Sequence, residues 1–274
     1  MPINTYYCSP EELKANARIP FRVMDTEPAM YEEIAQIMFD TIAANGSEPT
    51  VIICPVGPIA QYPIFVKKVN EANLSLKNCW FINMDEYLTD DDQTIAYENP
   101  LSFHGIMDRL LYSQIKEELV MPKEQRLFPE PGQEAEIDAL IEKLGKVDCV
   151  LTGVGINGHI AFNEPPEADD PITDEGYRNI GTRCMNIARE TITNNGANKF
   201  RGALDIFPKR CITLGMKQLL KAKTIKVYLY CSWQWGIMRK IALEPETRKA
   251  PVSFLQSHPD AEIVVTKELY EFML

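Results

Sequence analysis

Several features that would assign this chain to a familiar class of protein are missing from its sequence. It has no block of lysine and arginine residues and carries a formal net charge of −11, which argues against binding to nucleic acid or an anionic membrane. No apolar run approaches the ~20 residues that a membrane-spanning helix needs. The N-terminal residues 1–20 lack the basic and then apolar pattern of a signal peptide, so we expect a cytoplasmic protein.

The cysteine pattern argues against disulfide and metal sites, whereas the few histidines are candidates for acid–base chemistry. The seven cysteines are odd in number, include no C-x-x-C pair and mostly lie in apolar segments, which is typical of reduced, buried thiols. Only three histidines occur, so each is a conspicuous candidate for acid–base chemistry. His258 precedes a proline and fits a structural role better than a catalytic one. His104 fits either role.

The hydrophobic pattern predicts one α/β domain over residues 1–274. Near-continuous apolar runs are typical of parallel strands that are covered on both faces, and they alternate with helical patterns. We therefore expect a modified Rossmann-like sandwich, in which a mostly parallel sheet carries helices on both faces. The predicted strands are 50–54, 79–82, 147–151, 210–214, 225–230 and 262–265, and the predicted helices are 28–44, 60–73, 101–118, 134–144, 216–221 and 233–242. Residues 164–177 are rich in Pro, Asp and Glu and predict a long loop or mobile lid.

The first six residues of the segment GVGINGHIAFNEPP (153–166) match the dinucleotide fingerprint G-x-G-x-x-G. A dinucleotide loop must open a long helix, but two prolines, which break helix interiors, follow Gly158 too closely. A cofactor loop is therefore disfavoured, and the glycines fit a sharp turn beside a ligand better. His159 and Glu164 would then face one crevice as a tuned proton shuttle, with a structural histidine in a turn as the alternative.

Two adjacent carboxylates, Asp85 and Glu86, follow the predicted strand 79–82. Ligands of open α/β sheets bind beyond the carboxyl ends of the strands, and neighbouring like charges raise each other's pKa. One of these carboxylates, partly desolvated, would be a plausible general base, whereas a helix cap beside an exposed acid is the structural alternative. By contrast, the loop CPVGPIA (54–60) has two prolines and no hydroxyl, so it is a poor phosphate site.

Three segments together resemble the glucosamine-6-phosphate deaminase (isomerase) family, which belongs to a wider group with the 6-phosphogluconolactonases. They are FINMDEY (81–87), GVGINGHIAFNEP (153–165) and SFLQSHP (253–259), and the collinear match runs over nearly the whole chain. The resemblance implies a homo-oligomer, often a hexamer. It also implies the reversible conversion of an amino sugar phosphate to a ketose phosphate plus ammonia, without a metal or redox cofactor.

The same resemblance implies a role for each matching residue. Asp85 would be the base that moves a proton between C2 and C1, and His159 would open the sugar ring by shuttling the proton of the ring oxygen. Glu164 would orient and tune His159, and Asn157 would occupy the third position of that relay. Contacts to the sugar or sugar phosphate are expected at Gly57, Glu86, Gly155, Gly158, Lys199 and Gln234.

Departures from the family concern the phosphate contacts. The family holds the 6-phosphate with a loop like T-G-G/S-T-P, where this chain has VGPIA (56–60), and with a lysine where this chain has Gln234. A family arginine falls near residues 198–201. Because each charge-assisted hydrogen bond contributes about 1.5–3 kcal/mol, losing two or three would weaken phosphate binding by ~10² to 10⁵. A sugar altered at carbon 6 and lacking the phosphate is the alternative that these departures favour.

Two further functions stay open. A lactonase-like sugar hydrolase needs a histidine-activated water but no base at Asp85, and a non-catalytic sugar-binding protein needs no general base at all. The presence of Asp85, His159 and Glu164 together favours the isomerase. Trp233 and Trp235 offer aromatic faces for an uncharged sugar, with plain packing as the structural alternative.

Overall fold

The main sheet is parallel and lies at the centre of the molecule. In the computed structural model of the chain, which describes residues 4–274, this sheet contains seven strands. Their spatial order is β1 (Phe21–Met24), β10 (Ala261–Thr266), β9 (Ala222–Leu229), β6 (Val147–Thr152), β2 (Thr50–Cys54), β3 (Cys79–Asn83) and β5 (Arg126–Leu127). Every pairing in it is parallel, as the apolar runs predicted.

A small antiparallel sheet accounts for the main error in the predicted fold. It consists of β4 (Asp85–Leu88), β8 (Arg210–Thr213) and β7 (Arg183–Asn186), in that order. The predicted strand 210–214 was expected in the parallel sheet and instead pairs antiparallel with β4 and β7. An apolar run shows that a strand is buried but does not show which partner it takes. Asp85 is the first residue of β4 and lies opposite Thr213.

Helices cover both faces of the main sheet. The α-helices are α1 (Pro10–Asn16), α2 (Glu27–Asn45), α3 (Gln61–Ala72), α4 (Phe103–Leu110), α5 (Glu134–Leu144), α6 (Asp174–Arg178), α7 (Arg189–Phe200), α8 (Met216–Leu219), α9 (Trp235–Leu243) and α10 (Lys267–Glu271). Short 3₁₀ helices occupy Tyr112–Gln114, Lys123–Gln125, Leu204–Ile206, Ser232–Gln234 and Pro251–Ser257. The predicted helix 101–118 is shorter than expected because the non-helical backbone of Leu111 ends α4.

The core is divided between the two faces of the sheet. Along β2, Val51 and Ile53 belong to one hydrophobic cluster, whereas Ile52 and Cys54 belong to the other, since successive side chains of a strand point to opposite faces. All seven cysteines are free, and five of them are buried. Within residues 4–274, no helix is long and apolar enough to cross a membrane.

Candidate active site

A pocket opens at the carboxyl ends of the central strands, where open α/β sheets place their ligands. Four groups of residues from different parts of the chain form it. They are Pro55, Val56, Gly57 and Pro58 after β2; Met84, Asp85, Tyr87 and Phe103 around β4; Thr152, Gly153, Val154, Gly155, His159, Ala161 and Phe162 after β6; and Asn195, Lys199, Tyr230, Cys231, Trp233 and Gln234 from α7 and the segment after β9. Asp85 and His159 therefore face the same pocket, as the sequence predicted.

Asp85 is a carboxylic acid in a largely dry environment. Its residue surface is only 6% exposed. Burial and the negative charge of Glu86 together raise the pKa of Asp85 to about 8, although the positive charge of Lys199 opposes both. A carboxyl with a pKa near the working pH of most enzymes is suited to accept and return a proton.

Glu86, for which a substrate contact is predicted, does not line the pocket. The residue is 1% exposed, and its carboxylate accepts the backbone N–H groups of Phe103 at 3.0 Å and His104 at 2.9 Å, at the start of α4. It also accepts the Ser102 hydroxyl at 3.3 Å and the Tyr87 N–H at 2.8 Å. A carboxylate satisfies free N–H groups at a helix N-terminus well. Glu86 therefore fixes α4, which supplies Phe103 to the pocket wall.

His159 is held by one of its ring nitrogens. Nδ1 lies 2.9 Å from Oε2 of Glu164 and 3.0 Å from Oδ1 of Asn157, and the Thr191 hydroxyl approaches it at 3.2 Å. The amide of Asn157 also donates to Oε2 of Glu164 at 2.7 Å. Within residues 4–274, Nε2 has no hydrogen-bond partner, so it is the nitrogen left to exchange a proton with a ligand.

Glu164 is suited to remain ionised behind His159. Burial favours its neutral form, but the adjacent His159 and the hydrogen bonds from His159, Asn157 and Thr191 outweigh that effect and lower the pKa of Glu164. The structure thus brings Asn157, His159 and Glu164 into one relay, in the arrangement that the resemblance implied. Their catalytic roles stay predictions.

The glycine-rich turn makes room for this relay rather than for a dinucleotide. A Cβ atom added to Gly155 would lie 2.1 Å from the ring of His159, so only glycine allows the ring to take this position. Residues 153–166 contain turns but no helix, which agrees with the argument from the prolines. Gly158, for which a substrate contact is predicted, has φ +89° and packs against Ala250 and Ile237, outside the residues that line the pocket.

Among the described residues, the loops after β2 and β9 bring no Lys, Arg, Asp or Glu to their end of the pocket. Gly57 lies there as expected, beside two prolines that have no N–H. Gln234 also lines the pocket, but its Oε1 accepts the N–H groups of Tyr230 and Cys231 at 2.9 Å each, and its Nε2 donates to the Val154 carbonyl at 2.8 Å. The amide of Gln234 thus ties together the loops after β6 and β9, and little of it remains for a substrate.

Within residues 4–274, Lys199 is the only lysine or arginine that lines this pocket. Although the residue as a whole is exposed, protein atoms crowd its ammonium group, and this desolvation lowers the pKa of Lys199 while Asp85 opposes the effect.

Two other candidates are structural. The ring of His104 stacks on Phe128 at 4.2 Å and does not line the pocket. Trp235 is buried, and its indole N–H donates to the Phe272 carbonyl at 2.9 Å, whereas Trp233 does line the pocket.

No group of three or more His, Cys, Asp or Glu side chains in residues 4–274 could hold a metal ion.

Sequence reasoning missed Thr191 and Asn195 and left Lys199 uncertain by a residue or two. These side chains are spaced four residues apart on α7, so they lie on one face of the helix. That spacing was visible in the sequence. The helix itself was not, because its Thr, Asn and Gly residues have weak helix propensity and its interior lacks a regular apolar stripe.

Comparison with known proteins gives concordant results from sequence and structure. No protein-family model matches the chain. The chain is 30% identical over 213 residues to a glucosamine-6-phosphate deaminase from Rhodopirellula baltica, an alignment that covers 76% of this chain and 77% of the relative. A glucosamine-6-phosphate deaminase from Clostridium perfringens is 26% identical over 248 residues, which cover 87% of this chain and 94% of that one.

Solved structures show the same fold. A monomeric glucosamine-6-phosphate deaminase superposes with a TM-score of 0.78 at 22% identity, covering 92% of this chain and 98% of that chain. A 6-phosphogluconolactonase from Trypanosoma cruzi superposes with a TM-score of 0.64 at 15% identity, covering 97% and 98%. At these identities the likeness shows the fold alone, and the predicted α/β class is confirmed.

Proposed function

The chain belongs to the glucosamine-6-phosphate deaminase family, and we propose that it catalyses the reversible aldose–ketose isomerisation of an amino sugar phosphate with release of ammonia. The observation that supports this most directly is the shared pocket of Asp85 and His159. A desolvated carboxyl and an imidazole with one free nitrogen are the two proton-transfer groups that the reaction needs.

The proposed mechanism begins with ring opening. His159 delivers a proton from Nε2 to the ring oxygen as the C1–O5 bond breaks, and the C1 hydroxyl releases its proton to solvent water, which leaves an open-chain aldehyde. Glu164 stabilises the imidazolium form of His159 through Nδ1, where the two groups lie 2.9 Å apart.

Isomerisation and deamination then follow. Asp85 removes the proton from C2 while the C1 oxygen takes up a proton from solvent, which gives an enolamine. Asp85 then returns its proton to C1 and the nitrogen releases a proton to solvent, which gives an imine at C2. Water adds to the imine carbon, the C2–N bond breaks and ammonia leaves, so the sum is amino sugar phosphate plus water giving ketose phosphate plus ammonia. Each general acid–base step is worth roughly 10² to 10⁴ in rate.

A sugar without the 6-phosphate is the second candidate substrate, and a specific observation favours it. The loop after β2 contains Pro55 and Pro58, which cannot donate, and the amide of Gln234 is already bonded to the protein backbone. Among residues 4–274, Lys199 is then the only cation of the pocket wall left to hold a phosphate. An uncharged carbon-6 hydroxyl needs fewer donors than a dianion.

The test is to measure ammonia and ketose formation from glucosamine 6-phosphate and from glucosamine. Production of both compounds from the phosphorylated sugar supports the main proposal, and production from glucosamine alone supports the second candidate. Hydrolysis of a sugar lactone without ketose formation from either sugar would overturn both candidates and favour the lactonase-like alternative.

Two aspects of the assembly are also proposals. We propose a homo-oligomer, to be tested by light scattering across a range of protein concentrations; a single mass equal to one chain would overturn it.

We also propose that residues 164–177 act as a lid. Its outer part, 167–171, is exposed, while the Tyr177 hydroxyl donates to the Glu164 carbonyl. Slower hydrogen exchange in this segment when sugar is bound would support closure.

A further inference from the structure

One helix, α7, touches both halves of the catalytic set. At its N-terminal end, the Ala188 N–H donates to Oε1 of Glu164 at 3.3 Å, and the Thr191 hydroxyl lies 3.2 Å from Nδ1 of His159. At its C-terminal end, Lys199 lies close enough to Asp85 for each charge to alter the pKa of the other. The helix therefore runs from the His159 relay to the base.

Asn195 lies midway between these two ends on the same face of the helix. It is four residues from Thr191 and four residues from Lys199, and one helical turn separates such neighbours. Asn195 and Lys199 both line the pocket, and Thr191 is buried against His159. The Asn195 side chain therefore faces the part of the pocket between His159 and Asp85.

The amide of Asn195 is free to bind a ligand. Within residues 4–274 its side chain makes no hydrogen bond, although it can donate two and accept two. Its neighbour on the helix, Asn194, is different: it accepts the Asn198 amide at both its backbone and side-chain oxygens and does not line the pocket. Two adjacent asparagines thus differ in whether they face the pocket.

The order of atoms in the sugar defines what lies opposite Asn195. In the proposed function, on which this inference depends, Asp85 acts at C1 and C2, and His159 acts at the ring oxygen, which is bonded to C5. The carbons between these two reacting positions in the open-chain sugar are C3 and C4. We propose that the Asn195 amide hydrogen-bonds the C4 hydroxyl and makes Asn195 a specificity-determining residue for the configuration at C4.

The test replaces Asn195 with leucine, which has nearly the same size but no polar atoms. Dissociation constants are measured by calorimetry, and KM and kcat by ketose formation, for two pairs of C4 epimers: glucosamine 6-phosphate with galactosamine 6-phosphate, and glucosamine with galactosamine. Asn195→Leu should raise Kd and KM for the preferred epimer about 10- to 100-fold, because a neutral hydrogen-bonding group of the sugar loses its partner. The preference between epimers should fall towards one.

Asn194→Leu is the matched control, because it makes the same chemical change on the same helix at a position outside the pocket wall. It should leave Kd and the epimer preference unchanged, and both variants should unfold near the temperature of the unaltered protein. A readout of epimer preference is informative because a general loosening of α7 would weaken both epimers alike.

Three results would overturn the proposal. The first is an unchanged Kd and epimer preference in Asn195→Leu, and the second is an equal change in Asn194→Leu. The third is failure of the unaltered protein to bind any of the four sugars, which would overturn the proposed function as well. If the unaltered protein binds a sugar without converting it, the proposed function fails, while the Kd series still decides the role of Asn195.

Discussion

The two ends of the pocket differ in how their polar groups are used. At the end formed by Asp85 and His159, a carboxyl and a ring nitrogen face the pocket, and the groups behind them serve to adjust their protonation. At the end formed by the loops after β2 and β9, Pro55 and Pro58 have no N–H and the amide of Gln234 is bonded within the protein. Because the residues of the two ends come from different strand ends, the groups that transfer protons and the groups that would hold a 6-phosphate can change independently.

The largest expected effect comes from Asp85→Asn, which removes the base. Sugar isomerisation should fall by roughly 10² to 10⁴, because the amide cannot accept the C2 proton. A lactonase would tolerate this change better. Activity within a few-fold of the unaltered enzyme, measured as ketose formation, would contradict the role of Asp85.

The same variant should be more stable than the unaltered protein at pH 8. The pKa of Asp85 is about 8 in the folded state against an ordinary 3.8, so between these values the folded state holds a proton that the unfolded state has released. The free energy of unfolding therefore falls as pH rises from about 4 to about 8. Asparagine has no such proton, and thermal unfolding at pH 5 and pH 8 should show a gain for the variant that is larger at pH 8.

The second effect concerns His159→Gln, which should separate ring opening from isomerisation. We expect a loss of roughly 10² to 10³ with cyclic substrate, because the proton transfer to the ring oxygen is removed. An analogue that cannot form a ring, such as the 4,5-dideoxy sugar 6-phosphate, should lose far less. Equal losses for both substrates, measured as exchange of the C2 proton, would show that His159 does not act in ring opening.

The third effect concerns Lys199→Met, which removes the positive charge near Asp85. The pKa of Asp85 should rise further, so the increase of kcat/KM with pH should move to higher pH, by up to about one pH unit. The substrate titrates identically with both proteins, so the difference between the two profiles isolates the enzyme. Lys223→Met, an exposed change at the opposite end of the sheet, is the control. An unmoved profile would contradict the coupling between Lys199 and Asp85.

The smallest effect on chemistry is expected for Gln234→Ala, at the other end of the pocket. Three hydrogen bonds to the backbone disappear, which should lower the free energy of unfolding by about 1–3 kcal/mol. The ratio of activities on phosphorylated and unphosphorylated sugar should stay the same, because the amide serves the loops rather than the phosphate. A selective loss with the phosphorylated sugar would show that Gln234 binds it.

Much of the fold could be predicted because apolar runs report burial directly. The strands of the main sheet at 50–54 and 79–83 follow this pattern closely. The runs do not report partners, and for this reason the strand 210–214 was placed in the wrong sheet. The polar helix α7 has no apolar stripe to reveal it, so Thr191 and Asn195 were not anticipated, although Lys199 on the same helix was.

The site was predictable where chemistry is local in sequence and unpredictable where it depends on distant partners. His159 and Glu164 lie close together on one turn, and the two prolines that follow exclude a cofactor helix. The different environments of Asp85 and Glu86 could not be predicted from two adjacent positions in the sequence, because they depend on the start of α4 lying against Glu86. The same holds for Gln234, whose partners come from two loops.

The measurement that tests the central claim most directly is proton NMR in D₂O with glucosamine 6-phosphate and glucosamine, following the C2 proton. If Asp85 and His159 form one proton-transfer site, the unaltered protein will replace that proton with deuterium in at least one of these sugars and form ketose, and Asp85→Asn will not. If the unaltered protein leaves the C2 proton in place in both sugars, or if Asp85→Asn exchanges it equally fast, the account is contradicted.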